Sequence, residues 1–310
     1  MRALITGGSG FAGSYLIEYL LNLGYQVASM SNQSAILNSE SGKVTWFKVD
    51  LCKESEIRTV IQSFQPDEIY HLAGLAVTTG QLPTDYYSNN FVGTVNLLQA
   101  VKEIRPSARI LVVSTSGVYG QVLNNQMPIS ERTEIRPYNH YAASKAAAIA
   151  YQAENLPIVI ARPFNHTGPR QTTAYVCAKL AKYAAEVALN RTDTWLEAGN
   201  LAAARDFTDV RDVVRAYHLL LRQGTSEEAY NICSGKAYEI GIIIDTLSRI
   251  IGQPLRIQSS EEHHRKQDAS ILFGNYHKLR LATGWEPQIS LEQTLEEMVE
   301  YWKGRLEIKS

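Results

Sequence analysis

Thr6-Gly7-Gly8-Ser9-Gly10-Phe11-Ala12-Gly13 is the stretch on which the fold turns. It satisfies two glycine spacings at once: G-x-G-x-x-G counted from Gly8, and G-x-x-G-x-x-G counted from Gly7. Glycines at such spacing let the backbone turn tightly and approach a pyrophosphate, which then sits on the open N–H groups of the following helix. The flanks agree. Arg2-Ala3-Leu4-Ile5-Thr6 reads as a strand, and Tyr15, Leu16, Tyr19, Leu20 and Leu23 recur at helical spacing. Gly7, Gly10, Phe11 and Gly13 are therefore the first candidates for contact with a dinucleotide.

Outward from the turn, β-branched runs follow at Gln26–Ala28, Val44–Val49, Glu68–Leu72, Arg109–Ser114 and Ile158–Ala161, with helical patterns between most of them. This alternation predicts an α/β fold: a Rossmann-type doubly wound parallel sheet, with ligands at the carboxyl ends of its strands. After Pro163 the rhythm breaks into shorter, mixed elements. The chain then closes with a helix marked by Ser290-Leu291-Glu292-Gln293, a capping-box spacing, and by the apolar face Leu291, Leu295, Met298, Val299 and Trp302. The expected division is a dinucleotide-binding domain over residues 1–165 and a smaller, mainly substrate-binding α/β domain over 166–310. The segment near 206–225 is expected to return to the first domain.

With 310 residues, 45% of them hydrophobic, the chain has ample material for a core. A net charge of −1 without long charge runs speaks against nucleic acid or a membrane surface as partner. Cys52, Cys177 and Cys233 show neither metal-ligand spacing nor a disulfide framework. They read as buried small hydrophobes in a reducing cytoplasm, with no metal. No apolar stretch is long enough to span a bilayer.

Enzymes that select NAD usually carry a carboxylate at the end of the second strand, where it binds the ribose 2′-hydroxyl. Tyr25 to Ser39 contains no Asp or Glu and offers Ser29, Ser31, Asn32 and Gln33. That composition favours NADP, although no Arg stands there to clamp a 2′-phosphate; NAD remains the alternative. Acid/base chemistry is suggested by Tyr141-Ala142-Ala143-Ser144-Lys145, whose i, i+4 spacing puts phenol and ammonium on one helix face. A cation there would lower the Tyr141 pKa toward neutrality. Of the 17 tyrosines, only Tyr141 and Tyr175 have Lys four residues on. Tyr141 alone follows a strand-end hydroxyl, Thr115, so Tyr175 reads as a packing residue.

The chain resembles the extended short-chain dehydrogenase/reductase family over essentially its whole length. The likeness rests on the glycine turn, Asp50-Leu51, His71-Leu72-Ala73, Ser114-Thr115-Ser116 through Tyr119-Gly120, Tyr141…Lys145 and Gly284-Trp285-Glu286-Pro287. It implies Thr115, Tyr141 and Lys145 as the catalytic set. It also implies that Asp50 and Leu51 hold the adenine, and that Leu72, Ala73 and Gly74 line the cofactor. Within that family the chain is similar to GDP-4-keto-6-deoxy-D-mannose reductases and GDP-mannose 4,6-dehydratases. The strings that carry this are Arg162-Pro163-Phe164-Asn165-His166-Thr167-Gly168-Pro169, Gly199-Asn200-Leu201, Arg205 through Asp212, and Tyr230 through Gly235. The similarity implies a GDP-sugar held by Asn165, Lys179, Arg205, Arg265 and Asp268, and a homodimer through the helices around Thr84–Glu103 and Tyr141–Glu154. For Arg205, an ion pair with Asp206, Asp209 or Asp212 is the competing reading. Departures from the reductase pattern include Arg170 and Gly74, where an Ala is usual.

One position bears on the reaction. The dehydratases carry a Glu two residues after the catalytic hydroxyl, and GDP-fucose synthases a Cys in that region; here the residue is Gly117. Without a side chain to move a C5 proton, dehydration and epimerisation at C3 and C5 are disfavoured. The expectation is NADPH-dependent reduction of a GDP-4-keto-6-deoxyhexose to a product such as GDP-D-rhamnose. The alternatives are a 4-epimerase with retained NAD, a dehydratase-like enzyme, and a non-catalytic NADP-binding module.

Overall fold

A computed structural model describes residues 1–32, 42–76, 82–147, 156–260 and 270–308, and structural statements below refer to these. The first half contributes β1 (Arg2–Thr6), β2 (Gln26–Ser31), β3 (Val44–Lys48), β4 (Glu68–His71), β5 (Arg109–Val113) and β6 (Ile158–Pro163). Beyond them lie β7 (Asn165–Thr167), β8 (Leu196–Ala198), β9 (Ala204–Arg205), β10 (Phe207–Asp209), β11 (Ala229–Ile232), β12 (Tyr238–Glu239), β13 (Ile257–Ser259) and β14 (Ile271–Leu272).

The central sheet has seven parallel strands in the order β11-β6-β5-β4-β1-β2-β3. Leu4 of β1 lies opposite Ala28 of β2 on one side and Ile69 of β4 on the other. The order reverses at β1, so the crevice beside its carboxyl end is the switch point, and the glycine turn opens there. Strands such as Arg109-Ile110-Leu111-Val112-Val113 read as near-continuous apolar runs because helices cover both faces.

On one face lie α1 (Phe11–Asn22) and, from the second half, α7 (Val210–Gln223); Leu16, Leu20, Val213 and Leu220 are fully buried between them and the sheet. The other face holds α2 (Glu54–Phe64) and α4 (Gly93–Ile104), which bury Ile57, Ile61, Leu97 and Leu98. Helix α3 (Pro83–Tyr86) runs through a π-helical stretch, Tyr87–Val92, into α4. The Tyr141–Lys145 segment forms α5 (His140–Ala147).

The second half has its own apolar centre, in which α6 (Val176–Ala188), α8 (Ile240–Ile251) and α10 (Leu291–Glu307) bury Ala181, Ala184, Leu247 and Leu295. Helix α10 begins as expected at Ser290, whose hydroxyl accepts the Gln293 N–H at 3.1 Å. The Gln293 side chain bonds Glu297 instead of turning back, so half of the capping box forms. Trp285 is completely buried and donates its indole N–H to Asp212 O at 3.0 Å. The Asp212 carboxylate takes the N–H groups of Gln288 and Ile289, which docks this loop on α7.

Helix α9 (His277–Thr283) packs against α7 and β11, so the second half also reinforces the first-half sheet. Cys177 and Cys233 are buried as expected, but Cys52 is exposed, because it sits in the turn after β3 rather than in a packed element. No described helix is long and apolar enough to cross a membrane.

Candidate active site

The glycine turn is built from close backbone approaches. Gly7 takes φ +76°, which favours glycine, and donates its N–H to Met30 O at 3.1 Å. A Cβ on Gly13 would lie 2.2 Å from Gly7 O and 2.7 Å from Gly8 Cα. Helix α1 starts behind Gly10 without a side-chain cap, which leaves its first turn to an anion. Below Gly8, the fully buried Ser29 hydroxyl has no partner among the described residues. A cradle that a single methyl would fill, facing an uncapped helix start, fits a dinucleotide pyrophosphate. Gly13→Ala is expected to cost about 1–3 kcal/mol of stability, since the obstacles are backbone atoms, and to abolish NADPH binding. Denaturant unfolding and a fluorescence titration check both.

At the end of β2, the Ser31 hydroxyl lies 3.0 Å from that of Ser9, and Asn32 is exposed. Asp50 and Leu51 follow β3. Asp50 accepts the Cys52 N–H, and Leu51 lies against Gly93 and accepts the Asn96 amide at 2.9 Å. Leu72, Ala73 and Gly74 leave β4 beside the turn, where Ala73 N–H donates to Thr6 Oγ1 at 3.1 Å.

That bond begins a directional chain. Thr6 is thereby an acceptor whose own proton goes to His71 Nδ1 at 2.7 Å. His71 Nε2–H then donates to Thr94 Oγ1 at 2.7 Å, and Thr94 donates to Asn90 O at 2.5 Å. Burial holds His71 down at about 3, so it stays neutral, as the chain requires. Asn90, in turn, accepts Leu75 N–H and donates to Leu75 O and Ser144 Oγ. Nothing in the local sequence marked Asn90. A Cβ at Gly74 would come 2.8 Å from both Asn90 Oδ1 and Lys145 Nζ, which explains glycine here.

Tyr141 stands in the first turn of α5, where Asn139 Oδ1 accepts the Ala142 N–H at 2.7 Å. Thr115, at the end of β5, accepts Gly117 N–H at 3.1 Å, and its hydroxyl is near enough to the Tyr141 phenol to lower its pKa. The structure thus joins Thr115 and Tyr141, but it corrects the expected pKa. Desolvation pushes the phenol up to about 12 despite the nearby Thr115 hydroxyl. Lys145 does not offset this, because its ammonium faces Val113 O at 3.1 Å and Ala73 O at 3.5 Å.

Lys145 itself is buried, which lowers its pKa to about 8. Holding it charged at pH 7 therefore costs about 3 kcal/mol, offset in part by its two carbonyl bonds. Lys145→Met is expected to abolish activity yet to stabilise the cofactor-free protein at pH 7 by about 1–2 kcal/mol. The native pKa is the depressed one, so between pH 8 and 10.5 the unfolded chain holds the proton and the native one does not. Wild-type stability rises across that window and the gap closes. Parallel pH slopes in thermal melts of the two proteins would contradict this.

Of the substrate candidates, Asn165 is exposed on β7 and donates to Asp206 O at 3.1 Å; Arg205 is on β9 and donates to Ala204 O. Lys179 on α6 donates to Glu197 O at 2.8 Å. Asp206, Asp209 and Asp212, the competing partners for Arg205, accept Ser234, Arg211 and Arg215 respectively. Arg265 and Asp268 lie outside the described residues. Tyr175 is not a packing residue: its side chain is exposed, and its phenol, like that of Tyr138, raises the Tyr141 pKa. Its place just past Asn165, beyond the carboxyl end of β6, was the available signal. The Gly117 position is open as well, since a Cβ there would meet nothing closer than 3.5 Å.

A doubly wound sheet, a dinucleotide cradle at its switch point and a Thr–Tyr–Lys set beside it define an NAD(P)-dependent oxidoreductase of the extended short-chain dehydrogenase/reductase class. The signature of the GDP-mannose 4,6-dehydratase family matches residues 4–298, and the chain belongs to that family. It is 32% identical to GDP-6-deoxy-D-mannose reductase of Pseudomonas aeruginosa, covering 98% of both chains. It is 30% identical to GDP-6-deoxy-D-talose 4-dehydrogenase of Aggregatibacter actinomycetemcomitans, over 99% of this chain and 98% of the relative. The structure of RMD from Pseudomonas aeruginosa complexed with NADPH superposes with a TM-score of 0.84 at 32% identity, covering 98% of this chain and 99% of that one.

Proposed function

We propose that this protein reduces the C4 ketone of a GDP-4-keto-6-deoxyhexose with NADPH, giving a GDP-6-deoxyhexose of the GDP-D-rhamnose type. The observation that carries this is the paired Thr115 and Tyr141 hydroxyls beside an open, side-chain-free position at Gly117. Ketone reduction needs a hydride and one proton, and nothing at Gly117 can remove a proton from C5. NADPH bound on the glycine turn, with Asn32, Asp50, Leu51, Leu72, Ala73, Gly74, Tyr141 and Lys145 around it, supplies the hydride. Thr115 holds the C4 oxygen, and Tyr141 gives it a proton. A phenol near 12 is protonated at neutral pH and still acidic enough for an alkoxide, so its high pKa suits reduction.

The reductase and the NADPH complex among the similar proteins support substrate and cofactor alike. Asn165, Lys179, Arg205, Arg265 and Asp268 would hold the GDP-sugar: cations for the diphosphate, a carboxylate for the ribose diol. Residues 1–165 then bind the dinucleotide and 166–310 mainly the sugar nucleotide. The packing of α7 on α1 and the pairing of β11 with β6 support a return of the chain near 206–225 and onward to Ile232. A homodimer through the helices around 84–103 and 141–154 completes the reading; residues 148–154 lie outside the described ones. A monomeric mass by light scattering would contradict it.

The test is direct. Purified protein given GDP-4-keto-6-deoxymannose should oxidise NADPH, and NMR of the product should show a new C4 hydroxyl, its configuration separating rhamnose from talose. Stable cofactor binding without turnover would overturn the reading, and tightly copurifying NAD would favour the epimerase.

A further inference from the structure

We propose that Arg170 is the cation that receives the 2′-phosphate of NADP, across a groove that opens beside the glycine turn. This rests on the NADP reading above and says which residue makes it work.

The need for such a residue is visible in the sequence. A 2′-phosphate is a dianion that must lie near the end of β2, yet Gln26 through Gly42 contains neither Lys nor Arg. Two neutral hydroxyls, those of Ser9 and Ser31, meet there at 3.0 Å. A cation must come from outside that segment: Lys48 lies in register with Ser31 on β3, and Arg170 lines the groove beside Ser9.

A groove of about 290 Å³ begins at Ser9 and Gly10, passes Ser14 on α1 and Trp46 on β3, and is bounded by Arg170 and Thr172. Arg170 is the one cation among the described residues that line it, and Glu18 the one anion. Trp46 also lines the wall, and its buried indole N–H has no partner among the described residues.

Arg170 is fixed in place from three sides. Its backbone is left-handed, at φ +73°, an uncommon and costly state for a residue with a long side chain. Its guanidinium stacks 3.7 Å above the centre of the Tyr15 ring, and the Tyr15 hydroxyl donates to Pro169 O at 2.9 Å. Glu18 accepts from Nη1 and Nη2. A guanidinium carries five N–H groups, so a two-oxygen carboxylate leaves others for a phosphate. A preset fork with part of its donors spoken for suits recognition of a second anion better than a simple surface ion pair does. Glu18 then acts as a competitor as well as a positioning group.

The experiment is equilibrium binding of NADPH and of NADH to the full-length protein, read by cofactor fluorescence and without substrate. Arg170→Met should weaken NADPH about 10–100-fold, as loss of a charge-assisted contact does, and change NADH less than about threefold. Arg170→Lys should recover part of the NADPH affinity. Glu18→Gln, which removes the competing charge, should tighten NADPH and leave NADH unchanged. Equal weakening of both cofactors in Arg170→Met would mean a structural role only and would overturn the proposal, as would an unchanged NADPH/NADH ratio. If the wild-type protein shows no preference for NADPH, it is the NADP reading itself that fails.

Discussion

Tyr141→Phe is expected to lower the rate of ketone reduction by about 10²–10⁴-fold, the usual worth of a positioned proton donor. Stability and NADPH affinity should change little. The phenol faces the Thr115 hydroxyl and an edge-on Tyr86 ring at 6.3 Å between centroids. The variant keeps the ring and loses only the proton. The loss should fall on kcat rather than KM, and Lys145 cannot replace the donor, because it is turned to the carbonyls of Val113 and Ala73. The residual rate should not recover above pH 8, where Lys145 loses its charge. A Tyr141→Phe enzyme within tenfold of wild type would place the proton donor elsewhere, with Tyr175 and Tyr138 the next to test.

Asp206→Ala should be the most damaging change outside the proposed catalytic residues. Its completely buried carboxylate accepts four bonds: Ser234 N–H and Oγ–H, both at 2.7 Å, Gly235 N–H at 3.0 Å and Gly274 N–H at 3.2 Å. One side chain thereby ties the loops after β11 and β14 to the strand beside Arg205. Removing it strands several buried donors at about 1–3 kcal/mol each, so a loss on the order of 3–5 kcal/mol is expected. Asparagine does not rescue, since either orientation of its amide turns an NH₂ toward N–H donors.

Desolvation raises the Asp206 pKa to about 6. The unfolded chain therefore releases this proton near pH 4 while the native one keeps it. Wild-type stability should fall between about pH 4 and 6 relative to Asp206→Ala, and be level above. Denaturant midpoints across that range test both parts. A midpoint loss under about 1 kcal/mol would mean that the donors find other acceptors.

Much of this architecture is written locally. The strands β1 to β6, the glycine turn, the Tyr141–Lys145 spacing and the start of α10 each declare themselves within a dozen residues, because periodicity and capping act at that range. What escaped depends on partners far away in sequence. Asp206 reads as a surface acid beside Arg205; only the fold brings it Gly235 and Gly274. Tyr175 repeats the Tyr141 spacing, and its exposure toward Tyr141 is set by the path of the chain after β6. The Tyr141 pKa went the other way for the same reason, since the carbonyls that draw Lys145 aside belong to β5 and to the loop after β4. Ala229-Tyr230-Asn231-Ile232 is too short and too mixed to announce a central-sheet strand.

That last strand has a consequence for synthesis. Because β11 pairs with β6, and α7 covers α1, a nascent chain stopped at residue 165 would present β6 as a raw edge and α1 with its apolar side bare. The cradle is encoded at Gly7–Gly13, yet the sheet that carries it cannot be finished until Ile232 has left the ribosome. Through that interval the chain needs shelter from strand-to-strand aggregation, and no clean truncation into an autonomous nucleotide-binding half should exist.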